Sequence, residues 1–139
     1  MQQTISQKIL AKIFKKYPQI ISAYIFGSRA RGTTSPISDY DFAVDFEKDI
    51  DHKTYINIKL QLIKDLSKTL KTDKIDLVII NEAPILLQHR ILKDRKVLFC
   101  KSPLKRLRNE FKILTEYMDQ RDFELAFANN VFSNILRSK

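Results

Sequence analysis

The sequence predicts an α+β protein in which a small mixed β-sheet with flanking helices is followed by a C-terminal helical extension. Two observations lead to this prediction. Apolar runs of strand length alternate with segments of helical spacing over residues 1–100, and from Pro103 onward the spacing is helical only. The order α-β-β-α-β-α-β in the first part indicates a mixed sheet, and we expect its helices to lie on one side.

The elements before residue 39 are predicted to be a helix, a strand and a loop. Apolar residues at helical spacing, closed by Pro18, mark the helix: Ile5, Ile9, Leu10, Ile13 and Phe14. Residues 20–26 (IISAYIF) are apolar, β-branched and aromatic, which is typical of a buried strand. Residues 29–38 have glycine, threonine, serine and proline without an apolar period, so we expect a loop there.

The elements between residues 39 and 100 follow from the same reasoning. They are a strand over about 39–46, a helix over about 51–70, a strand over 74–80, a helix near 84–93 and a strand over 96–99. The longer helix carries a predicted apolar stripe of Ile56, Leu60, Ile63, Leu66 and Leu70. Residues 1–100 are therefore expected to form one domain.

Residues 101–139 are predicted to be a separate helical extension made of two helical stretches. The first stretch has apolar residues at alternating spacings of three and four, which is typical of the seam along which one helix packs against another. The residues of this seam are Leu104, Leu107, Phe111, Leu114 and Met118. A second stretch is expected from about Asp122, with Phe123, Phe127, Val131 and Ile135 on one line and Leu125, Phe132 and Leu136 beside it. These helices either pack back on the sheet or form a docking surface for another chain, and both interpretations stay open.

Composition and charge exclude several classes of protein. The 139-residue chain is 44% hydrophobic, and it has neither a secretory leader nor an apolar run near 18 residues, so we expect no membrane segment. The single cysteine, Cys100, fits a reducing cytoplasm. A net charge of +9 favours anionic partners such as nucleotides, RNA or an acidic protein. Direct nucleic-acid binding is disfavoured, because the aromatic pattern needed for base stacking is missing.

Three aspartates form the predicted catalytic constellation. Asp39 and Asp41 lie two residues apart on a strand, so their side chains share a face and repel unless a cation bridges them. Asp76 lies in the strand KIDLVII. Burying a charged side chain in a strand is costly, so its presence there indicates a functional role. Carboxylate oxygens suit Mg²⁺, and we expect two ions there. Asp45 shares the face of Asp41 but is expected to lie past the site and to be hydrated.

A phosphate-binding loop is predicted just before these acids. Gly27 and Gly32 are the only two glycines of the chain, so the backbone freedom that glycine allows is confined to this loop. Gly27 lets the backbone approach phosphate oxygens, and Ser28 offers a hydroxyl and an amide. Arg29 and Arg31 add cationic groups for the same triphosphate.

The stretch FGSRARGTTSPISDYDFAV resembles the signature of the polymerase-β-type nucleotidyltransferase superfamily, and specifically its minimal MNT branch of antitoxins paired with HEPN-family RNase toxins. The resemblance covers residues 1–100 as the catalytic domain of the nucleotidyltransferase fold. It implies nucleotide binding by Gly27 and Ser28, and metal binding and catalysis by Asp39, Asp41 and Asp76. Asp94 and Arg95 depart from the pattern, because a glycine turn is commoner at that position.

The resemblance further implies a function. The chain would transfer AMP from ATP to a tyrosine hydroxyl of a cognate HEPN toxin with release of pyrophosphate, and it would form a hetero-oligomer with that toxin through residues 101–139. Two other functions remain open at this point. One is an antitoxin that acts by binding and occlusion alone, and the other is a nucleotidyltransferase for a small molecule such as an aminoglycoside.

Overall fold

The structure is a computed structural model that describes residues 7–32 and 39–137. The helices are α1 (Gln7–Lys15), α2 (Ser28–Arg31), α3 (His52–Leu70), α4 (Ile85–Asp94) and α5 (Pro103–Arg137), and the strands are β1 (Ile20–Phe26), β2 (Tyr40–Phe46), β3 (Ile75–Ile79) and β4 (Lys96–Cys100). All four strands lie within one residue of their predicted bounds. Residues 28–31 are helical although a loop was predicted from residue 29, while Ile5 and the loop residues 33–38 lie outside the described part.

The four strands form one mixed sheet in the order β3-β2-β1-β4. β1 pairs antiparallel with β2 and with β4, while β2 pairs parallel with β3. This arrangement confirms the predicted mixed sheet with flanking helices. Because β1 and β2 pair antiparallel, with Phe26 opposite Asp41, the loop that leaves β1 at Gly27 emerges beside the start of β2.

Apolar clusters cover both faces of this sheet. One face packs against α1 and α3, with Phe14 and Leu62 fully buried. The other face packs against α4 and the first part of α5, where Ile91 and Ile113 are buried. The prediction that the helices lie on one side was therefore wrong. The physical reason is visible in β1, which buries side chains on both faces and so needs cover on both.

The register of α3 also differs from the predicted stripe. The helix begins at a capping residue, because the Asp51 Oδ1 accepts the Thr54 amide at 2.8 Å. Its buried residues are Tyr55, Ile58, Leu62 and Leu66. Leu60, which belongs to the predicted stripe, is 61% exposed. The prediction was wrong for Ile56 and Leu60, whereas Leu66 is buried and both Ile63 and Leu70 pack against the core.

The C-terminal extension is one continuous helix of 35 residues, about 52 Å long, where two stretches were predicted. Only its first half packs on the sheet, through Ile113 and Glu110, which is 5% exposed. The predicted seam residues all face away from the sheet, with Phe111 68% exposed. The helix therefore packs back on the sheet in its first half, while the predicted seam itself stays exposed. Within the described residues no helix has the length and apolarity to cross a membrane.

Glu110 is the anchor of α5. Its Oε2 accepts hydrogen bonds from the Tyr24 hydroxyl at 2.9 Å and from Arg106 Nη1 at 3.0 Å, and its Oε1 accepts from Arg95 Nη2 at 3.0 Å. A buried carboxylate is stable only when such donors satisfy it. A second fixed point is the ring of His89, which stacks on Tyr117 with 3.7 Å between ring centroids. These contacts define how α5 leaves the body of the protein.

Replacing Leu62 with alanine is expected to lower the free energy of unfolding by about 2–5 kcal/mol, because the side chain is fully buried and leaves a cavity. Leu60→Ala is the matched control, since it removes the same atoms from an exposed position on the same helix, and its effect should stay below about 0.5 kcal/mol. Urea denaturation followed by circular dichroism measures both. Equal losses in the two variants would contradict the observed register of α3.

Candidate functional site

The end of β1 and the start of β2 meet at Gly27. This residue has φ +74°, which side chains rarely allow, and it leads directly into α2. A Cβ atom built on Gly27 would collide with the Oδ2 of Asp41. The absence of a side chain therefore leaves room for this carboxylate to lie directly against the backbone of the loop.

The three predicted acids share this end of the sheet. Asp41 is paired with Phe26 of β1 on one side and with Asp76 of β3 on the other. Asp39 immediately precedes β2 and is exposed, and Asp41 is half-buried. Asp76 is exposed on the edge strand, so the prediction that this acid lies inside a buried strand was wrong. Its position beside Asp41 nevertheless matches the predicted constellation.

The electrostatics of Asp41 reflect this crowding. Partial burial raises the pKa of Asp41, and the negative charges of Asp76 and Asp39 raise that pKa further, while Arg31 acts in the opposite direction. A carboxylate whose ionised form is disfavoured by two neighbouring carboxylates gains from any cation placed among them. Clusters with such a perturbed pKa are typical of functional sites.

The donor set fits a hard divalent cation that is bound together with a phosphate ligand. Within residues 7–32 and 39–137, no three His, Cys, Asp or Glu residues lie close enough together to hold a metal ion on their own. Mg²⁺ commonly takes only one or two carboxylates and completes its shell with water and substrate phosphates. Asp41 and its neighbours supply oxygen ligands of this kind at the open end of the sheet.

The short helix α2 positions the two arginines of the loop differently. Arg31 Nη1 contacts Asp94 Oδ2 at 2.5 Å, and the charge of Arg31 is close enough to lower the pKa of Asp41. The Arg29 guanidinium instead lies 3.7 Å from the centre of the Tyr40 ring. Because adjacent strand residues face opposite sides, Tyr40 points away from the face of Asp41. Arg31 is thus on the side of the acids, and Arg29 is held by a cation–π contact.

Sequence reasoning missed two acids around this site. Asp45 was expected to be hydrated, but it is 6% exposed and accepts a hydrogen bond from Asn109 Nδ2 at 2.7 Å, so it joins β2 to α5. Burial raises the pKa of Asp45, and the Asn109 hydrogen bond opposes that rise. The sequence singled out Asp94 only as a departure from the usual glycine turn. Its ion pair with Arg31 was missed because the two residues are far apart in the sequence.

Comparisons with known proteins agree with this geometry. Residues 8–104 match the family described as Polymerase beta, Nucleotidyltransferase. A curated relative, the protein adenylyltransferase MntA of Aphanizomenon flos-aquae (strain 2012/KM1/D3), is 29% identical over 100 residues, which are 67% of this chain and 65% of the relative. The chain therefore spans about two thirds of the length of that relative.

Solved structures resemble the chain over most of its length. A toxin–antitoxin crystal structure with AMP-PNP superposes with a TM-score of 0.73 and 22% identity, covering 92% of this chain and 99% of the other. The structure of a tri-AMPylated Shewanella oneidensis HEPN toxin in complex with an MNT antitoxin gives a TM-score of 0.63 and 20% identity, covering 91% and 99%. At these identities the likeness establishes the fold.

Replacing Asp41 with asparagine is expected to raise the free energy of unfolding at pH 7 by about 0.2–1 kcal/mol, the usual size of a like-charge effect across paired strands. Folding raises the pKa of Asp41, so the ionised carboxylate destabilises the folded state above that pKa. The gain from Asp41→Asn should therefore disappear as the pH falls below the ordinary value of 3.8.

Urea denaturation at several pH values measures this gain. Asp73→Asn is the control, since Asp73 is an exposed aspartate that precedes β3. If Asp41→Asn lowered stability at pH 7, the carboxylate would be held by favourable contacts, and the description of a repelling cluster would be wrong.

Proposed function

This chain belongs to the polymerase β nucleotidyltransferase family, and we propose that it is an antitoxin that transfers AMP from ATP to a tyrosine of a cognate HEPN RNase toxin. The observation that carries this proposal is that Asp41 lies beside Asp76 on the neighbouring strand and against the backbone of Gly27, which follows β1. Similarity to the adenylyltransferase MntA and to toxin–antitoxin complexes supports the choice of reaction and of acceptor.

The proposed reaction is an in-line displacement at the α-phosphorus of ATP. The tyrosine oxygen forms a bond to this phosphorus, the bond from the phosphorus to the oxygen bridging to the β-phosphate breaks, and pyrophosphate leaves. Asp76 would accept the phenolic proton, since an exposed carboxylate at the open end of the sheet is accessible to a protein substrate. Gly27 and Ser28 would hold the triphosphate with their backbone amides, and Arg31 would add positive charge to the same phosphates.

Two Mg²⁺ ions would be held by Asp39 and Asp41, with Asp76 sharing the ion nearer the acceptor. When bound, such ions neutralise the triphosphate and polarise the phosphorus under attack. The raised pKa of Asp41 supports this assignment, because a cation relieves the repulsion that raises it. Arg29 was predicted to bind phosphate as well, and it would have to leave the Tyr40 ring to do so.

The partner would dock on the outer face of α5. A groove of about 560 Å³ lies on this face, and Arg95 is on one side of it. Its apolar lining consists of Leu104, Leu107, Phe111 and Leu114. Along one continuous helix, the seven-residue spacing carries this seam on from Met118 to Leu125 and Phe132, which are also exposed. An uncovered seam of this length is typical of a helix that packs against another helix.

The last part of α5 is apolar on two sides. At about 100° per residue, Phe123, Phe127 and Val131 lie roughly opposite the seam. In the first half of the helix that same side packs on the sheet through Ile113, but beyond the sheet it is exposed, with Phe127 60% exposed. We infer that the partner is helical and encloses this segment from both sides. A helical toxin fits this requirement better than a small-molecule substrate does.

Incubating the chain with ATP, Mg²⁺ and the HEPN protein encoded beside it is expected to add about 329 Da per modified tyrosine, the mass of AMP less water. Asp39→Ala and Asp41→Asn should abolish the adduct, although Asp41→Asn is expected to be more stable than the wild-type chain. Leu60→Ala is the control, because Leu60 is exposed on α3 and is not among the predicted site residues, and it should retain transfer.

Mass spectrometry of the toxin measures the adduct, and an RNase assay measures neutralisation in the same samples. Occlusion is the competing function, and the exposed seam of α5 favours it over nucleotide transfer to a small molecule. If Asp41→Asn formed no adduct and still silenced the toxin at equal concentration, occlusion would replace AMP transfer as the function.

Replacing Phe111 and Leu114 with alanine is expected to weaken the complex with the toxin by at least about tenfold, because both side chains lie on the exposed seam. Lys112→Ala, which changes an exposed residue between them, should leave the affinity nearly unchanged. Isothermal titration calorimetry measures the affinity, and circular dichroism of the chain alone checks that both variants fold. A larger effect from Lys112→Ala would contradict docking through this seam.

A further inference from the structure

Two consecutive residues at the end of α4 reach in different directions. The Asp94 carboxylate, 10% exposed, pairs with Arg31 on the loop that follows β1. Arg95 donates a hydrogen bond from Nη2 to Oε1 of Glu110 on α5. The end of α4 therefore touches the predicted nucleotide loop on one side and the predicted docking helix on the other.

The contact on the α5 side belongs to a buried hydrogen-bond network. Glu110 is 5% exposed and also accepts hydrogen bonds from Tyr24 on β1 and from Arg106 one turn earlier in α5. Because this carboxylate is buried, losing a donor is costly, and Arg95 is held in one place. Asp94 directly precedes Arg95 and is the last residue of α4, so this ion pair links the end of α4 to α5.

The contact on the loop side leaves Arg31 able to bind a ligand. The side chain of Arg31 is 50% exposed, although one of its nitrogens is engaged by Asp94. A guanidinium has five N–H donors, so one pairing leaves others for phosphate oxygens. Arg31 lies one turn along the short helix that begins after Gly27, and the Gly27 backbone is in contact with the Asp41 carboxylate. Arg31 is thus oriented beside the acids before any ligand binds.

We propose that Asp94 is a positioning residue that presents Arg31 to the phosphates of ATP, and that Arg95 fixes Asp94 in place by anchoring the end of α4 to Glu110 on α5. This inference rests on the proposed function, in which Arg31 binds the triphosphate. Pre-orientation removes the entropy cost of ordering a long side chain when ATP binds. It also makes the docking helix a structural support of the nucleotide site.

The test measures binding of α,β-methylene-ATP with Mg²⁺ to the isolated full-length chain by calorimetry. This analogue cannot release pyrophosphate, so binding is observed without transfer. Asp94→Asn is expected to weaken binding about three- to tenfold, the usual size for one side chain that must be ordered on binding. Lys93→Met, a change at the exposed residue beside it, is the control and should bind like the wild-type chain.

A double-mutant cycle separates positioning from a general loss of structure. Arg31→Met should weaken binding by at least as much as Asp94→Asn, and Asp94→Asn should have no further effect in the Arg31→Met background. Arg95→Met should reproduce the loss caused by Asp94→Asn, measured at a temperature where all variants are folded. AMP, which lacks the β- and γ-phosphates, should bind all variants with less than about twofold difference.

The outcomes are distinguishable. A wild-type chain that does not bind the analogue would overturn both the proposed function and this inference. A wild-type chain that binds, with Asp94→Asn binding equally well or more tightly, would overturn the inference alone. Equal losses from Asp94→Asn with and without Arg31 would also overturn it, because the effect would then not pass through Arg31.

Discussion

The pairing of β2 between β1 and β3 is the constraint on which the rest of the structure depends. This pairing places Asp41 between Phe26 and Asp76, and it brings the turn at Gly27 within contact of the Asp41 carboxylate. A shift of one residue in either ladder would turn Asp41 to the opposite face and into the apolar cluster. The buried residues Phe42 and Val44, both 0% exposed, hold the register against such a shift. Core packing on one face therefore positions the acids on the other.

The site is electrostatically unfavourable in the absence of a cation. Burial and two neighbouring carboxylates disfavour the charge of Asp41, so the fold loses some stability by keeping these groups together. Two acids buried elsewhere have hydrogen-bond donors. Glu110 has three donors, and Asp45 has the Asn109 amide. The hydrogen-bonded acids join strands of the sheet to α5, whereas the crowded acids lie together at the open end of the sheet.

The sheet and the common face of Asp39 and Asp41 could be predicted because both depend on local periodicity. Alternation along a strand gives Asp39 and Asp41 a common face, and the apolar run of β1 marks a central strand. The missed features depend on contacts between distant segments. Asp94 meets Arg31 across 63 positions of sequence, and Asp45 meets Asn109 across 64. No local pattern predicts such pairs, and the continuity of α5 was missed because polar residues near Asp122 interrupt the seam.

The exposed apolar face of α5 has a consequence for the turnover of the protein in a cell. A chain synthesised ahead of its partner carries an uncovered apolar strip about 50 Å long, of the kind that chaperones bind and proteases use to select substrates. Covering this strip would require nearly equal supplies of the two proteins, and any excess of this chain would be removed first. The amount of the free chain would then follow the amount of the proposed partner that is available to cover this helix.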